Sequence, residues 1–197
     1  MRAAAVLLAA GASRRLGRPK QLLELGAGTL LGATLRTARA AGLAQVVVAL
    51  GAAADEVRAH VDLTGVDVAL NPDFGTGCAS SIGSALARVR DDVDGIVLLL
   101  GDQPGVTPET VRALLDGVGS APVGACRYDD GLGHPLWFHR SMFDTLRSLH
   151  GDKAVWKLVD AGAGVTEVRV PGPVPLDVDT WDDYQAVLAQ AEGARRP

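Results

Sequence analysis

Cysteine is scarce in this sequence: only Cys78 and Cys126 occur, in neither a CxxC nor another metal-type spacing. That excludes a disulfide framework and a zinc–thiolate site, and suits a reducing compartment. Positive charge is not in excess either. The formal net charge is −4, which argues against wholesale binding to nucleic acid or an anionic membrane, so any cationic site must be local. No run approaches the roughly 18 apolar residues of a membrane span. The opening "MRAAAVLLAAGA" looks at first like a signal sequence, but its apolar part is short and the dense positive charge follows it, the wrong order for export. A soluble, cytoplasmic protein is expected, with neither nucleic-acid nor membrane partners.

What is present is an ordinary globular composition, 48% hydrophobic and 21% charged over 197 residues, enough for one domain with a full core. Short apolar runs at Ala4–Ala10, Gln45–Leu50, Val66–Leu70 and Gly95–Leu100 are brief, branched-rich and bounded by Gly, Asp or Pro, as buried strands are. Between them Leu30–Ala41, Asp55–Val61 and Ser80–Val89 carry apolar residues at helical spacing. Thr107 and Pro108 make a cap and first turn for a helix over Glu109–Leu115. Two further strands are expected at Pro122–Tyr128 and His134–Phe138, joined by the turn-rich "DDGLG". Helices at Arg140–Leu149 and Lys153–Ala161, a strand at Val165–Val170 and a last helix from about Trp181 complete the pattern. The alternation predicts an α/β fold: a single-domain, three-layer α/β/α sandwich with a mostly parallel, Rossmann-like sheet. The domain is expected over residues 1–192, with a disordered tail at 193–197.

In such sheets ligands sit outside the carboxyl ends of the strands. After the first strand comes "GASRRLGRPK", with Arg14, Arg15, Arg18 and Lys20 within seven residues. A glycine there lets the backbone turn sharply toward an anion, and cations add charge-assisted hydrogen bonds, which suits a polyphosphate. A solvated basic loop is the alternative. Two standard phosphate motifs are missing: Lys20 follows Pro19 instead of preceding Ser or Thr, and "GASRRLG" lacks the middle glycine of GxGxxG. "GAGTLLG" at Gly26–Gly32 has the wrong spacing and reads as a tight turn. After the fourth strand, Asp102 in "LLLGDQPGVT" ends a very hydrophobic run, where an unpaired carboxylate is costly. A divalent metal would compensate it, with Pro104 stiffening the turn. Capping a turn, or pairing with a loop cation, is the alternative.

Taken in order, "LAAGASRRLGRPKQLL", "NPDFGTGCASSIGSAL", "LLLGDQPGVTPETVRALL", "GLGHPLWFHRSMFDTLRSLHGDKAVWKLV" and "DVDTWDDY" resemble the successive signatures of the MobA-like NTP transferases, most closely the molybdenum cofactor cytidylyltransferase branch. The resemblance implies a nucleotide-diphospho-sugar transferase-like fold. It also implies that Leu8, Ala9, Ala10 and Gly11 contact the base and ribose of a nucleoside triphosphate, with Ala10 tilting the choice from GTP toward CTP. Arg15 and Lys20 match phosphate-binding positions; Asn71, Gly77 and Ser81 match base- and ribose-side positions, with Ser80 a neighbour. Asp102 matches the metal-binding acid, and Asp179 or its neighbour Asp177 the second metal-side position, for Mg²⁺ or alternatively Mn²⁺.

The implied reaction is attack by the terminal phosphate of molybdopterin on the α-phosphorus of CTP, with pyrophosphate leaving and a molybdenum hydroxylase or its maturation factor as downstream partner. Arg15, Lys20 and Asp102 would carry the catalysis. Acceptor contacts are implied at His134 and Lys153; a packed histidine and a solvated helix start are the respective alternatives. Trp137, Phe138 and Trp156 read as core in preference to a pterin stack, and Cys126 as a small buried hydrophobe. The rival function is an NADPH-dependent reductase of the nicotine blue type on the same fold, although no dinucleotide fingerprint is visible. Another phosphorylated acceptor, such as a sugar phosphate, is a third possibility.

Overall fold

A computed structural model describes residues 1–160 and 164–193. Its centre is a seven-stranded sheet in the order β5-β4-β1-β6-β8-β7-β9. The strands are β1 (Ala3–Ala9), β4 (Gln45–Leu50), β5 (Asp67–Leu70), β6 (Gly95–Leu100), β7 (Val123–Arg127), β8 (Leu132–His139) and β9 (Val165–Arg169), while β2 (Glu24–Leu25) and β3 (Gly28–Thr29) form a small separate hairpin. β1 runs parallel to β4 and β6, with Leu7 opposite Val48 on one side and Leu99 on the other. Only β8 runs against its neighbours, Val97 of β6 facing Trp137. The sheet is therefore mostly parallel, as the alternation of runs and helices predicts.

The first strands are apolar throughout because both of their faces are covered. In β1, Ala3, Ala5, Leu7 and Ala9 join one core while Ala4 and Val6 join the other; Val46, Val48 and Leu50 of β4 alternate with Val47 and Ala49 in the same way. One core is closed by α1 (Leu30–Ala40), α2 (Ala54–His60) and α4 (Pro108–Gly117), the other by α3 (Cys78–Leu86), α5 (Phe143–Arg147) and α6 (Ala154–Asp160). That is the three-layer sandwich. α1 and α4 begin where their sequence says they should: the Thr29 and Thr107 side chains accept hydrogen bonds from Gly32 N and Thr110 N, and Pro108 occupies the first turn of α4.

Several boundaries differ from expectation. The Ser80–Val89 helix begins two residues earlier, at Cys78, and stops at Leu86. The Arg140–Leu149 helix is a short 3₁₀ turn, Arg140–Met142, running into α5. "GAGTLLG" supplies the β2–β3 turn, with Gly26 at φ 64°. The last helix, α7, runs from Trp181 to Gly193, so the first residue of the expected tail is helical; residues 194–197, like Ala161, lie outside the described residues. No described helix is long and apolar enough to cross a membrane.

A third, smaller core positions the functional rim. Leu16 from the basic loop, Leu23 just before the hairpin, Leu25 within it, Leu30 of α1, Val187 of α7 and Val178 pack together. Val178 is fully buried, and its N–H donates to the Asp102 carbonyl at 3.1 Å. In "LDVDT" the alternation is strand-like, so burying Val178 turns its neighbours Asp177 and Asp179 outward at the sheet edge.

Candidate active site

The carboxyl ends of β1, β4, β5 and β6 meet along one edge, and the loops that follow them form a continuous trough. Its inner part is walled by Leu8–Gly11, Gly101 and Asp102 on one side and by Phe74, Gly77, Cys78 and Ser81 on the other; Lys20 and Gln21 close its end. Gly11, Lys20, Phe74, Gly77 and Asp152 continue into an outer part where Ser13, Arg14, Arg15 and Asp179 stand. The inner compartment is mainly apolar and the outer one charged, which is how a nucleoside and its phosphates divide.

The basic loop is held in shape from within. Ser13 adopts a left-handed backbone, φ 51°, rare for a residue with a side chain. Its hydroxyl accepts from Lys20 N at 2.9 Å, and its carbonyl accepts from Leu16 N at 3.0 Å. This closes the loop and sends Arg15 and Lys20 toward the later acids. The Lys20 ammonium donates to Asp102 and, at 2.8 Å, to Asp179 Oδ1, whose other oxygen accepts from Arg15 at 2.7 Å. Residues 15, 20, 102 and 179 thus form one charge cluster.

Each pKa follows from that cluster. Burial works against the charge on Lys20, but the carboxylate of Asp102, and then that of Asp179, more than restore it, so the ammonium is held above its ordinary value. The hydrogen bond from Lys20 holds Asp179 below the usual carboxylate range. Asp177 moves the other way. Burial of its carboxyl, then the negative charges of Asp102 and Asp179, push it up to about 6. Asp177 keeps an exposed surface, so solvent screens part of that repulsion.

Hard carboxylate oxygens on Asp102, Asp179 and Asp177 are the donor set that Mg²⁺ or Mn²⁺ prefers. Among the described residues no three acidic, histidine or cysteine side chains form a ready-made cage. Mg²⁺ sites commonly take one or two carboxylates and complete the shell with substrate phosphates.

The second wall of the trough is organised by Asn71. It is buried, and its amide donates to Ser80 Oγ and Ser81 Oγ, both at 2.9 Å, while its own carbonyl oxygen accepts from Asp73 N. Ser81 faces the inner trough, whereas Ser80 lines a depression on the opposite side of the loop and spends its hydroxyl proton on local carbonyls. Gly77, at φ 113°, lies so close to the next segment that a Cβ there would fall 2.6 Å from the Gly151 carbonyl carbon. Cys78 then ties in the same segment: its N–H donates to Asp152 Oδ1 at 3.0 Å and its thiol to the Asp152 carbonyl at 2.9 Å.

The apolar slot, the cationic turn and Asp102 all fall inside one family match, while Asp177 and Asp179 lie beyond its end. A family model for the MobA-like NTP transferase domain matches residues 5–166. The chain belongs to the MobA-like NTP transferase family. Among curated relatives, this MobA-like NTP transferase is 41% identical over 196 residues to the nicotine blue oxidoreductase of Paenarthrobacter nicotinovorans, covering 92% of this chain and 91% of that protein. Among solved structures it is similar to Rv0371c from Mycobacterium tuberculosis H37Rv, with 53% identity, 96% and 98% coverage and a TM-score of 0.91. A manganese complex of Rv0371c superposes with a TM-score of 0.87 at 50% identity, covering 96% and 99%.

Not every predicted residue of the MobA-like chain reaches the trough. His134 sits two residues past the last β6–β8 pair, Leu98 with Leu136, and so at the right edge of the sheet. It is nonetheless buried, its ring edge-on to Trp156 at 5.4 Å, and it is not part of the trough wall; desolvation pushes its pKa down to about 4, so it is neutral. Lys153 is exposed just before α6, next to Asp152. Trp137 and Phe138 are core residues and Cys126 is fully buried, as expected. Sequence reasoning missed Phe74, Gln21 and Asp152 as wall residues. Phe74, the lone aromatic of the loop after β5, carried a usable signal, but Asp152 carried none.

Proposed function

We propose that this MobA-like NTP transferase moves CMP from CTP to the terminal phosphate of molybdopterin, releasing pyrophosphate and forming a cytosine dinucleotide of the cofactor. The carrying observation is the four-residue cluster in which Arg15 and Lys20 meet Asp102 and Asp179. The attacking phosphate is already an anion and needs no general base; the protein's task is to align two polyanions and offset their repulsion. The slot at Leu8–Gly11 takes base and ribose, with Asn71 and Ser80 holding the wall that carries Gly77 and Ser81. Lys20 and Arg15 would exchange their carboxylate partners for β- and γ-phosphate oxygens, and the acids thereby released would be free to hold Mg²⁺ or Mn²⁺. When bound, the cation supplies positive charge to the phosphoryl oxygens. Asp102 and Asp179 are assigned as its ligands, with Asp177 beside them; a manganese complex of a protein 50% identical to this chain supports a divalent cation as such.

His134 and Lys153 are assigned to the acceptor side, His134 as a neutral group beneath it and Lys153 as the exposed cation. A molybdenum hydroxylase or its maturation factor would receive the product. The test is to incubate the protein with Mg²⁺, molybdopterin and labelled CTP or GTP. Pyrophosphate release with CTP is expected; no release with either nucleotide sinks the reading. Asp102→Ala should abolish turnover while the thermal melt stays cooperative.

A second reading has its own support, the 41% identity to a nicotine blue oxidoreductase. It predicts NADPH oxidation that depends on the dye and proceeds without CTP, which the transferase reading does not.

A further inference from the structure

Three glutamines are buried in the described structure: Gln21, Gln45 and Gln103. Gln45, far from the trough, is satisfied at both ends of its amide; it donates to Asp67 and the Arg88 carbonyl, and its oxygen accepts from Arg90 N at 2.9 Å. The other two differ. Gln21 and Gln103 are each 3% exposed, and each has a buried Oε1 with no partner among the described residues. An unpaired buried acceptor costs folding free energy, so a purely structural site would favour an apolar side chain. Both glutamines also occupy a telling place in the chain: Gln21 directly follows Lys20, and Gln103 directly follows Asp102.

Their nitrogens explain the arrangement. Gln21 Nε2 donates to the Ala9 carbonyl at 2.7 Å and the Gly11 carbonyl at 3.1 Å, so turning the amide over would set oxygen against two oxygens. It thereby pins the turn that carries Lys20 to the end of β1, where the inner slot begins. Gln103 Nε2 donates to the Pro175 carbonyl at 3.2 Å, two residues before Asp177. It joins the Asp102 turn to the irregular segment that bears Asp177 and Asp179, reinforcing the bond from Val178 N to the Asp102 carbonyl.

We propose that Gln21 and Gln103 are positioning residues, amide staples that respectively set the nucleotide slot with its lysine and the pair of metal-side carboxylate segments. The proposal rests on the nucleotide-and-metal reading of the trough given above. It assigns the two staples different duties, and that difference is what a test can read.

The experiment compares native protein with Gln21→Met and Gln103→Met in two titrations: Mn²⁺ without nucleotide, followed by electron paramagnetic resonance, and CTP or GTP in EDTA, followed by calorimetry. Thermal melts establish that each variant is folded. Gln103→Met should weaken Mn²⁺ about tenfold, the scale on which outer-sphere partners act, and leave nucleotide affinity near native. Gln21→Met should do the reverse. Where a methionine variant does not fold, the asparagine variant at that position keeps the amide, loses its reach and is read the same way. Equal losses in both titrations, or no loss in either, overturn the staples while leaving the functional reading intact. Native protein that binds neither Mn²⁺ nor nucleotide overturns the functional reading, and the staples with it.

Discussion

Lys20 bonds two carboxylates at once, and its side chain and that of Asp102 are only 14% and 18% exposed. Removing one member of such a pair leaves the other charge poorly solvated. Lys20→Met should lower stability by about 1–3 kcal/mol and kcat/KM by roughly 10²–10³-fold, measured by denaturant unfolding and pyrophosphate release. The same variant tests the metal assignment. With the ammonium gone, Asp102 loses its ion-pair partner and Asp179 keeps only Arg15, so the rise in melting temperature on adding Mn²⁺ should be larger in Lys20→Met than in native protein. An equal or smaller rise would separate the metal from these acids. The opening loop and Asp102 were readable from sequence as lone charges at strand ends. That they neutralise one another was open, since the pairing spans 82 residues for Lys20 with Asp102 and 164 for Arg15 with Asp179.

Elements were legible in proportion to how local their causes are. Thr107 caps α4 as "TPE" predicts, and Thr107→Ala should cost about 1 kcal/mol in thermal or urea unfolding with the trough unaffected. The start of α3 was misplaced because its cap is not a side chain: Gly77, at positive φ, leads straight into Cys78, and no polar side chain announces it. Gly77→Ala therefore carries two penalties, a strained backbone and a Cβ 2.6 Å from Gly151. It should displace the Gly151–Asp152 segment from the trough, weakening nucleotide binding more than Thr107→Ala does at equal or greater loss of stability. Nucleotide affinity unchanged in Gly77→Ala would show that the Asp152 side of the wall does not touch the ligand.

For the whole molecule, buried titrating groups couple folding to pH. His134 titrates at about 4 in the folded protein, below its ordinary value of 6.5. On acidification the unfolded chain takes up that proton first, so stability from this group is lost as pH falls from about 6.5 to 4, at up to about 1.4 kcal/mol per pH unit. Asp177 has the opposite sign: its folded pKa of about 6 lies above 3.8, so the folded state takes the proton first and gains stability over the same window. Solvent exposure makes its share the smaller. Urea midpoints should therefore fall gently from pH 6.5 to 4 in native protein, more steeply in Asp177→Asn and less steeply in His134→Phe. A His134→Phe slope equal to native would remove the buried histidine as the cause.

The sequence alone determined what depends on neighbours along the chain. Apolar runs imply strands covered on both faces, helical spacing implies the helices between them, and glycine, proline and charge mark the loops at one edge of the sheet. Its ordered signatures were also enough to indicate the family. Tertiary structure decided which distant charges meet. Burying Val178 against Leu16 and the Asp102 carbonyl aims Asp179 at Lys20 and Arg15, while strand pairing carries His134 to the same edge yet beneath its surface. Coulomb and hydrogen-bond energies depend on separation in space, and separation in space is what a linear pattern of residue types does not encode.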